Sequence, residues 1–368
     1  MISINTKTIE WNDIENCIEM VDQTKIPLKL EKKSCKTIDS LIDAIKSLKI
    51  RGAPALGAAG GLSIALSAFQ YGGEDREEMI RTLISDAKRI KNVRPTAVNL
   101  SWGVNRVLDK VLKNRRFDCK CSICKLENQR FSNATTLSEE SIEDIRRFAL
   151  EEAKRICEED VRINKTIGEN GAKLLNDGDT ILTHCNAGRL ACVDWGTALG
   201  VVRSAVEMGK DIKVFACETR PLNQGGRITT WELMEDGIDV TLIADSSSGI
   251  VMRNKMVDKV IVGADRIVKD GVFNKIGTYT HSVLAKENKI PFYVVAPYST
   301  FDLERTGRDI IIEERGADEL RKFGESYIAP KNVKVFNPAF DFTPIENITS
   351  IITEKGILDP KIRDLRTI

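Results

Sequence analysis

Only two histidines, His184 and His281, occur among the 368 residues. That leaves little room for a His-rich metal centre or a Ser-His-Asp triad. An excess of charge of one sign is also missing: Lys plus Arg number 55 and Asp plus Glu 54. A chain so balanced carries no electrostatic footprint for nucleic acid or for an acidic membrane surface. Its first residues, MISINTKTIEWND, fit neither a signal peptide nor a transit peptide. No apolar run reads as long enough to span a bilayer. A soluble, cytoplasmic protein is the expectation. There is no Walker sequence, and no G-x-G-x-x-G follows the first apolar run of the second half, which disfavours a dinucleotide or nucleoside triphosphate. Nine cysteines are an odd count without a secretory signal. Free thiols are therefore expected, with catalysis or a metal as their possible use.

What is present divides at about the middle. Hydrophobic residues make up 42% of a chain long enough for two cores. The first part reads helical. Ile38, Leu41, Ile42, Ile45 and Leu48 recur at helical spacing within 34–49, and further helices fit 74–90, 99–112 and 138–175. Between the first two lies RGAPALGAAGGLSIALSAFQ (51–70). Its small residues suit close backbone packing or a helix N-terminus facing a ligand. From Asp177 on, short β-branched apolar runs alternate with helix-length segments. The runs are DTILTHC (179–185), IKVFACETRP (212–221), VTLIADSSS (240–248), KVIVGADRI (259–267) and PFYVVAP (291–297). Consecutive apolar positions fit strands buried on both faces, and the alternation predicts a doubly wound parallel sheet.

In open α/β sheets, ligands bind beyond the carboxyl ends of the strands. Four consecutive runs end there in reactive groups: His184-Cys185-Asn186, then Glu218-Thr219-Arg220, then Asp245, then Asp265-Arg266. Glycine pairs, hydroxyls and arginines suit a phosphate group, so a small phosphorylated metabolite is the expected ligand. Cys185 and Asp265 fit a base–acid pair. A thiolate forms beside a cation or helix N-terminus, and a carboxyl in a partly apolar pocket can keep its proton. Such a pair could move protons at adjacent carbons of a sugar. The plainer alternatives are a small core residue for Cys185 and a helix N-cap for Asp265. Glu218 and Asp245 could instead be structural acids pairing Arg220 or Arg227.

Six blocks in order carry a family resemblance: RGAPALGAAG (51–60), RPTAVNLSWG (94–103), ILTHCNAG (181–188), ETRPLNQGGRITTWEL (218–233), VGADRI (262–267) and NKIGTYTHSVLA (274–285). The chain resembles the methylthioribose-1-phosphate isomerase family from about Trp11 to Pro344. That family is related to isomerases of 5-deoxyribose 1-phosphate and ribose 1,5-bisphosphate. It also shares its fold with the non-catalytic regulatory subunits of the translation-initiation exchange factor. The resemblance implies a small, mainly helical N-terminal domain (1–150) followed by a Rossmann-like doubly wound catalytic domain (151–368). It implies a homodimer, a phosphorylated sugar as substrate, and neither cofactor nor metal. It makes Asp265 the proton donor and Cys185 the second catalytic group, with Arg51, Gly52, Ala53, Arg94, Gln224, Asn274 and Lys275 on the substrate. Retention of Cys185 and Asp265 favours an enzyme over a regulatory subunit.

Two stretches depart from the family pattern. After HCNAG the chain reads RLACVDWGTALG, where Arg189, Cys192 and Trp195 could reshape the pocket for the sugar's 5′ substituent. The segment 117–140 resembles an insertion, and its Cys119, Cys121 and Cys124 form C-x-C-x-x-C. Three thiols in one loop fall short of a structural zinc's four ligands, so incidental thiols are the expectation there.

Overall fold

The computed structural model describes residues 6–94, 97–112 and 141–360. The insertion with Cys119, Cys121 and Cys124 lies outside the described residues. The chain forms two compact units. The smaller takes Ile9–Val21 and Lys32–Glu159; the larger takes Met1–Thr8, Asp22–Glu31 and Asp160–Ile368. The division therefore falls inside a helix rather than at residue 150, and two N-terminal pieces join the larger unit.

The smaller unit is not helical throughout. Strands β1 (Ile9–Asn12), β2 (Cys17–Val21) and β3 (Lys32–Cys35) make an antiparallel sheet in that order. β1 buries Ile9 and Trp11 on alternate positions, the mark of a strand with one face on a core. Helix α1 (Ile38–Lys46) starts later than its apolar spacing predicts. Lys32–Cys35 are strand, and Thr37 caps the helix by accepting from the Ser40 N–H while its own N–H donates to Ser40. Helices α2 (Ala53–Gln70), α3 (Arg76–Lys91) and α4 (Val98–Leu112) follow, and α5 (Ile142–Ala172) begins here.

α2 is long and apolar enough to cross a membrane, contrary to the sequence expectation, but 78% of it is buried inside the protein. It is a core helix, and its glycines explain how. A Cβ on Gly103 of α4 would fall 1.9 Å from the Gly57 carbonyl oxygen, and one on Gly60 would fall 2.3 Å from that of Leu100. The two helices thus touch backbone to backbone, the first of the two uses that small residues allow.

The larger unit holds β4 (Thr180–Thr183), α6 (Ala198–Glu207), β5 (Lys213–Cys217), α7 (Thr230–Glu235), β6 (Asp239–Ile243), α8 (Ser248–Arg253) and β7 (Lys259–Val262). There follow β8 (Arg266–Val268), β9 (Gly271–Lys275), α9 (Thr278–Glu287) and β10 (Phe292–Val295). The short strands β11 (Phe301–Asp302), β12 (Lys322–Phe323) and β13 (Ser326–Tyr327) precede β14 (Phe340–Pro344), β15 (Ser350–Thr353) and β16 (Gly356–Leu358).

The main sheet runs β16-β15-β10-β7-β4-β5-β6, parallel except for β16. All five predicted strands are in it. Counted along the chain, its six parallel strands lie in the order 3-2-1-4-5-6, so the winding reverses between β4 and β7. Both faces are covered. Ile181, Ile261, Val295 and Ile352 pack into one apolar cluster with α6, and Leu182, Val260, Val294 and Ile351 into a second with α8. A second sheet, β11-β8-β9-β14, hangs from the end of β7. β6 forms an open edge with Leu242 exposed.

Replacing Gly103 by Ala sets two effects against each other. Alanine gains about 1 kcal/mol of helix propensity, while overpacking against a backbone oxygen that no rotamer can move costs about 3 kcal/mol. The steric effect wins, so Gly103→Ala lowers the melting temperature by several degrees, whereas Gly72→Ala, where a Cβ meets nothing within 4 Å, does not. Thermal unfolding of the two variants side by side checks this.

Candidate active site

The winding reversal places two reactive residues on neighbouring strand ends. β4 pairs with β7 through Ile181–Lys259 and Leu182–Val260. Cys185 lies two residues past β4, and Asp265 three past β7. Around Cys185, Thr183, His184 and Asn186 are buried, while Cys185 itself is partly exposed. Its φ is 65°, in the left-handed region that costs a residue with a Cβ about 1 kcal/mol or more. Its N–H donates to the Thr219 hydroxyl at 2.8 Å, and its carbonyl accepts from the Thr229 hydroxyl at 2.7 Å.

Asp265 joins the two sheets. Its N–H donates to the Phe273 carbonyl at 2.9 Å, which starts the β8–β9 hairpin. The hairpin register, Arg266 opposite Phe273, brings Asn274 and Lys275 back to the level of Asp265. Asn274 is buried and donates to the Thr278 hydroxyl at 3.0 Å; Lys275 donates to the Ala339 carbonyl and lies over the Phe340 ring. Gln224 precedes a π-helical turn, Gly225–Thr229, that leads into α7. It is buried, and its Oε1 has no hydrogen-bond partner among the described residues. Five of the nine expected site residues thus lie around the carboxyl end of the larger unit's sheet. The other four belong to the smaller unit: Gly52, with φ 96°, caps α2 between Arg51 and Ala53, and Arg94 follows α3.

Several polar residues have structural duties that the sequence did not reveal. Arg227 donates to the Gln23 and Ile26 carbonyls, holding an N-terminal piece in the larger unit. Arg220 donates to the Pro221, Glu319 and Leu320 carbonyls. Asp245 pairs with neither guanidinium; both its oxygens accept backbone N–H groups, of Thr219 and Arg220, at 2.7 Å. Arg189 is tied to Asp194 and Asp236, Cys192 is fully buried, and the Trp195 indole donates to Ser204. Beneath them the buried Arg203 pairs with Glu232 and Asp236. Burial alone would raise Glu232, but Arg203, with the Leu190 N–H and Asn186, outweighs it and holds the carboxyl below its usual range. Sequence reasoning placed Thr219 at a strand end without its role, and it missed Thr229 and Asp341. Asp341 stands opposite Asn274 and accepts the Gly277 and Tyr279 N–H groups at the start of α9. Nothing local in TRP, TTW or FDF marks these roles.

The two histidines meet in the core. His184 Nε2 lies 2.8 Å from the Ile276 carbonyl and must carry a proton to donate to it, so its Nδ1 accepts from His281 Nε2 at 3.1 Å. Cys217 is near enough that the three could hold a metal, their ligand atoms lying within 4.8 Å of one another. The tautomer chain already satisfies both nitrogens of His184 without an ion. A polar cleft of about 470 Å³ lies in the smaller unit, lined in part by Trp102, Arg106 and Glu152. It contains none of the expected residues, and Arg106 spends its charge on Glu152 and Glu159.

Residues 49–360 match the initiation factor 2 subunit family. The methylthioribose-1-phosphate isomerase of Thermosipho melanesiensis is 50% identical over 98% of this chain and 96% of its own. Among solved structures, 5-methylthioribose 1-phosphate isomerase from Pyrococcus horikoshii superposes with a TM-score of 0.84 at 39% identity, covering 98% of this chain and 95% of its own. A structure from Archaeoglobus fulgidus, described as translation initiation factor eIF-2B, subunit delta, gives 0.81 at 56% identity, covering 96% of each chain.

The histidine pair predicts an acid-sensitive fold. Burial pulls His184 down from 6.5 to about 4 and pulls His281 down too, so both stay neutral when folded. The unfolded chain takes up those protons below about pH 6.5, which means their contribution is complete above that pH and is lost as pH falls toward 4. Asp160 and Asp341, raised by burial to about 7 and about 6, gain stability as pH falls, so the histidine contribution is read as the difference between parent and variant in denaturant midpoints measured from pH 7.5 to 4.5. His281→Gln, which keeps a donor but does not titrate, should lose less stability than the parent as pH falls; an equal change in both would remove the pair as a cause.

Proposed function

The chain belongs to the initiation factor 2 subunit family, and from that premise we propose that it is the family's sugar-phosphate isomerase, converting 5-methylthioribose 1-phosphate to 5-methylthioribulose 1-phosphate in methionine salvage. The observation that carries this reading is that Cys185 and Asp265 follow the carboxyl ends of β4 and β7, the neighbouring strands where the winding reverses. A regulatory, purely binding role gives no reason to hold a thiol in a strained backbone there.

The substrate sets the chemistry. Its anomeric carbon carries phosphate, so the ring cannot open to a free aldehyde. Asp265 protonates the ring oxygen, and the ring opens to a phosphorylated oxocarbenium ion. Hydrogen then leaves C2, either as a proton taken by Cys185 or as a hydride passing to C1. In the first route Cys185 is the base and returns the proton to C1 of the resulting enol; in the second its role is to stabilise the developing charge; in both, the C2 hydroxyl gives up its proton, restoring the acid, to leave the ketone. The contacts to the sugar and its phosphate that the family resemblance implies are Gln224, Asn274 and Lys275 of the larger unit and Arg51, Gly52, Ala53 and Arg94 of the smaller. The resemblance implies no cofactor or metal, and an isomerisation within one molecule needs no external oxidant or reductant. The working form is a cytoplasmic homodimer. Exposed Met234, Leu242 and Ile250, on β6 and the flanking helices, support an association surface on the larger unit.

Proton NMR of the purified enzyme with methylthioribose 1-phosphate should show turnover, reduced by at least 10³-fold in Cys185→Ser and Asp265→Asn. In D2O, deuterium at C1 of the product marks the proton route, and retention of the former C2 hydrogen at C1 marks hydride transfer. Faster turnover of 5-deoxyribose 1-phosphate or ribose 1,5-bisphosphate would keep the mechanism and change the substrate. Binding without turnover of any of the three would overturn the enzyme in favour of a regulatory subunit.

A further inference from the structure

The thiol of Cys185 stands on a backbone that cannot hold itself. A β-strand that simply continued past Thr183 would alternate its side chains between two buried faces. The left-handed φ of 65° at Cys185 breaks that alternation, and Cys185 is the one residue of Thr183–Asn186 that is not buried. An L-residue keeps such a conformation only when its surroundings over-determine it.

Two hydroxyls do so here. The peptide before Cys185 is fixed by its N–H donating to Thr219 Oγ1, and the peptide after it by its carbonyl accepting from Thr229 Oγ1. Both threonines are completely buried, and both are themselves held. Thr219 has a φ of 66°, which for a β-branched residue is a clear outlier. Asp245 accepts its N–H, and its hydroxyl proton goes to the Cys217 carbonyl at 3.0 Å, leaving a lone pair for Cys185. Thr229 ends the π-helical turn, and its oxygen also accepts from Asn186 at 3.1 Å. That turn can approach because Gly225 has no side chain: a Cβ there would fall 1.7 Å from the Cys217 carbonyl oxygen and 2.9 Å from the Thr219 hydroxyl. The grip therefore reaches Cys185 from two separate elements, each braced independently of the thiol.

We propose that Thr219 and Thr229 are positioning residues for the isomerisation, clamping the two peptides that flank Cys185 so that its thiol is presented to the sugar in one orientation. The proposal rests on the reading that Cys185 acts in turnover. Neither threonine needs to touch substrate. Loss of a hydroxyl should therefore lower kcat and leave KM nearly alone, since binding depends on other residues.

Thr219→Val and Thr229→Val remove the hydroxyl and keep the shape; Thr219→Ser and Thr229→Ser keep the hydroxyl. Steady-state turnover should fall 10- to 100-fold in kcat for each valine variant, with KM within about threefold of the parent. Each serine variant should recover most of the loss. A second readout needs no substrate: the rate at which iodoacetamide alkylates Cys185 in the folded protein, followed peptide by peptide in a mass spectrometer. Valine variants should change that rate severalfold and serine variants should not. Where a valine variant does not yield folded protein, the alanine and serine variants are compared in its place. Equal kcat for hydroxyl-bearing and hydroxyl-free variants would overturn the proposal. Undiminished turnover in Cys185→Ser would instead overturn the reading beneath it, so the two failures are told apart.

Discussion

A parallel sheet buried on both faces has no room for polar side chains except at its strand ends. In the larger unit, β4, β7, β10 and β15 send alternate residues into two separate apolar clusters. Cys185 and Asp265 both lie beyond the last paired residues of their strands. The winding order concentrates these groups further. Strands added outward from β4 on one side and from β7 on the other send their connections to opposite faces, leaving a crevice between the two first strands. Cys185 and Asp265 sit beyond those two strands. The position of the proposed site follows from the topology, and the topology follows from apolar runs too long and too continuous to be half-exposed strands.

Strain and charge are then distributed so that the crevice keeps its shape. The left-handed residues Cys185 and Thr219 terminate adjacent parallel strands, β4 and β5. Immediately below, Arg203, Glu232, Asp236 and Arg189 form a largely buried ionic network. Glu232 accepts the Arg189 and Leu190 N–H groups, at 2.7 and 2.9 Å, and so locks the loop that follows HCNAG. A buried ion pair of this kind is weak evidence for added stability, because desolvation offsets much of the attraction. Its effect here is on uniqueness: with each oxygen of Glu232 committed to named N–H groups, the loop has a single arrangement.

The sheet was legible in the sequence because its signal is collective. Five β-branched runs separated by helix-length segments admit few arrangements, and the reactive residues at their ends stood out as a set. The small antiparallel sheet of the other unit was not legible. β3 is the charged run Lys32–Cys35, directly followed by a helix with good apolar spacing, and the pattern of the helix swallowed the strand. Cys185 and Asp265 stand out at the strand ends by residue type, whereas the hold of Thr219 and Thr229 on the peptides around Cys185 does not. A hydroxyl that grips a backbone N–H or C=O forty residues away leaves no local trace, and threonine is too common to stand out. Arg220 and Arg227, which stand beside the glycines, donate to main-chain carbonyls, and Arg189 pairs with Asp194 and Asp236, bonds that residue type alone does not announce.

The main sheet's two ends are unequal. At one, the short antiparallel β16 turns back on β15; at the other, β6 runs parallel to its neighbour and leaves its outer hydrogen-bonding groups and Leu242 facing outward. An edge of this kind invites another strand. With only one such long edge, edge-to-edge association of identical copies must be self-complementary, edge β6 against edge β6, and it consumes the surface in a single step. Growth into fibres needs two different adhesive ends, and this sheet offers a second only three residues long.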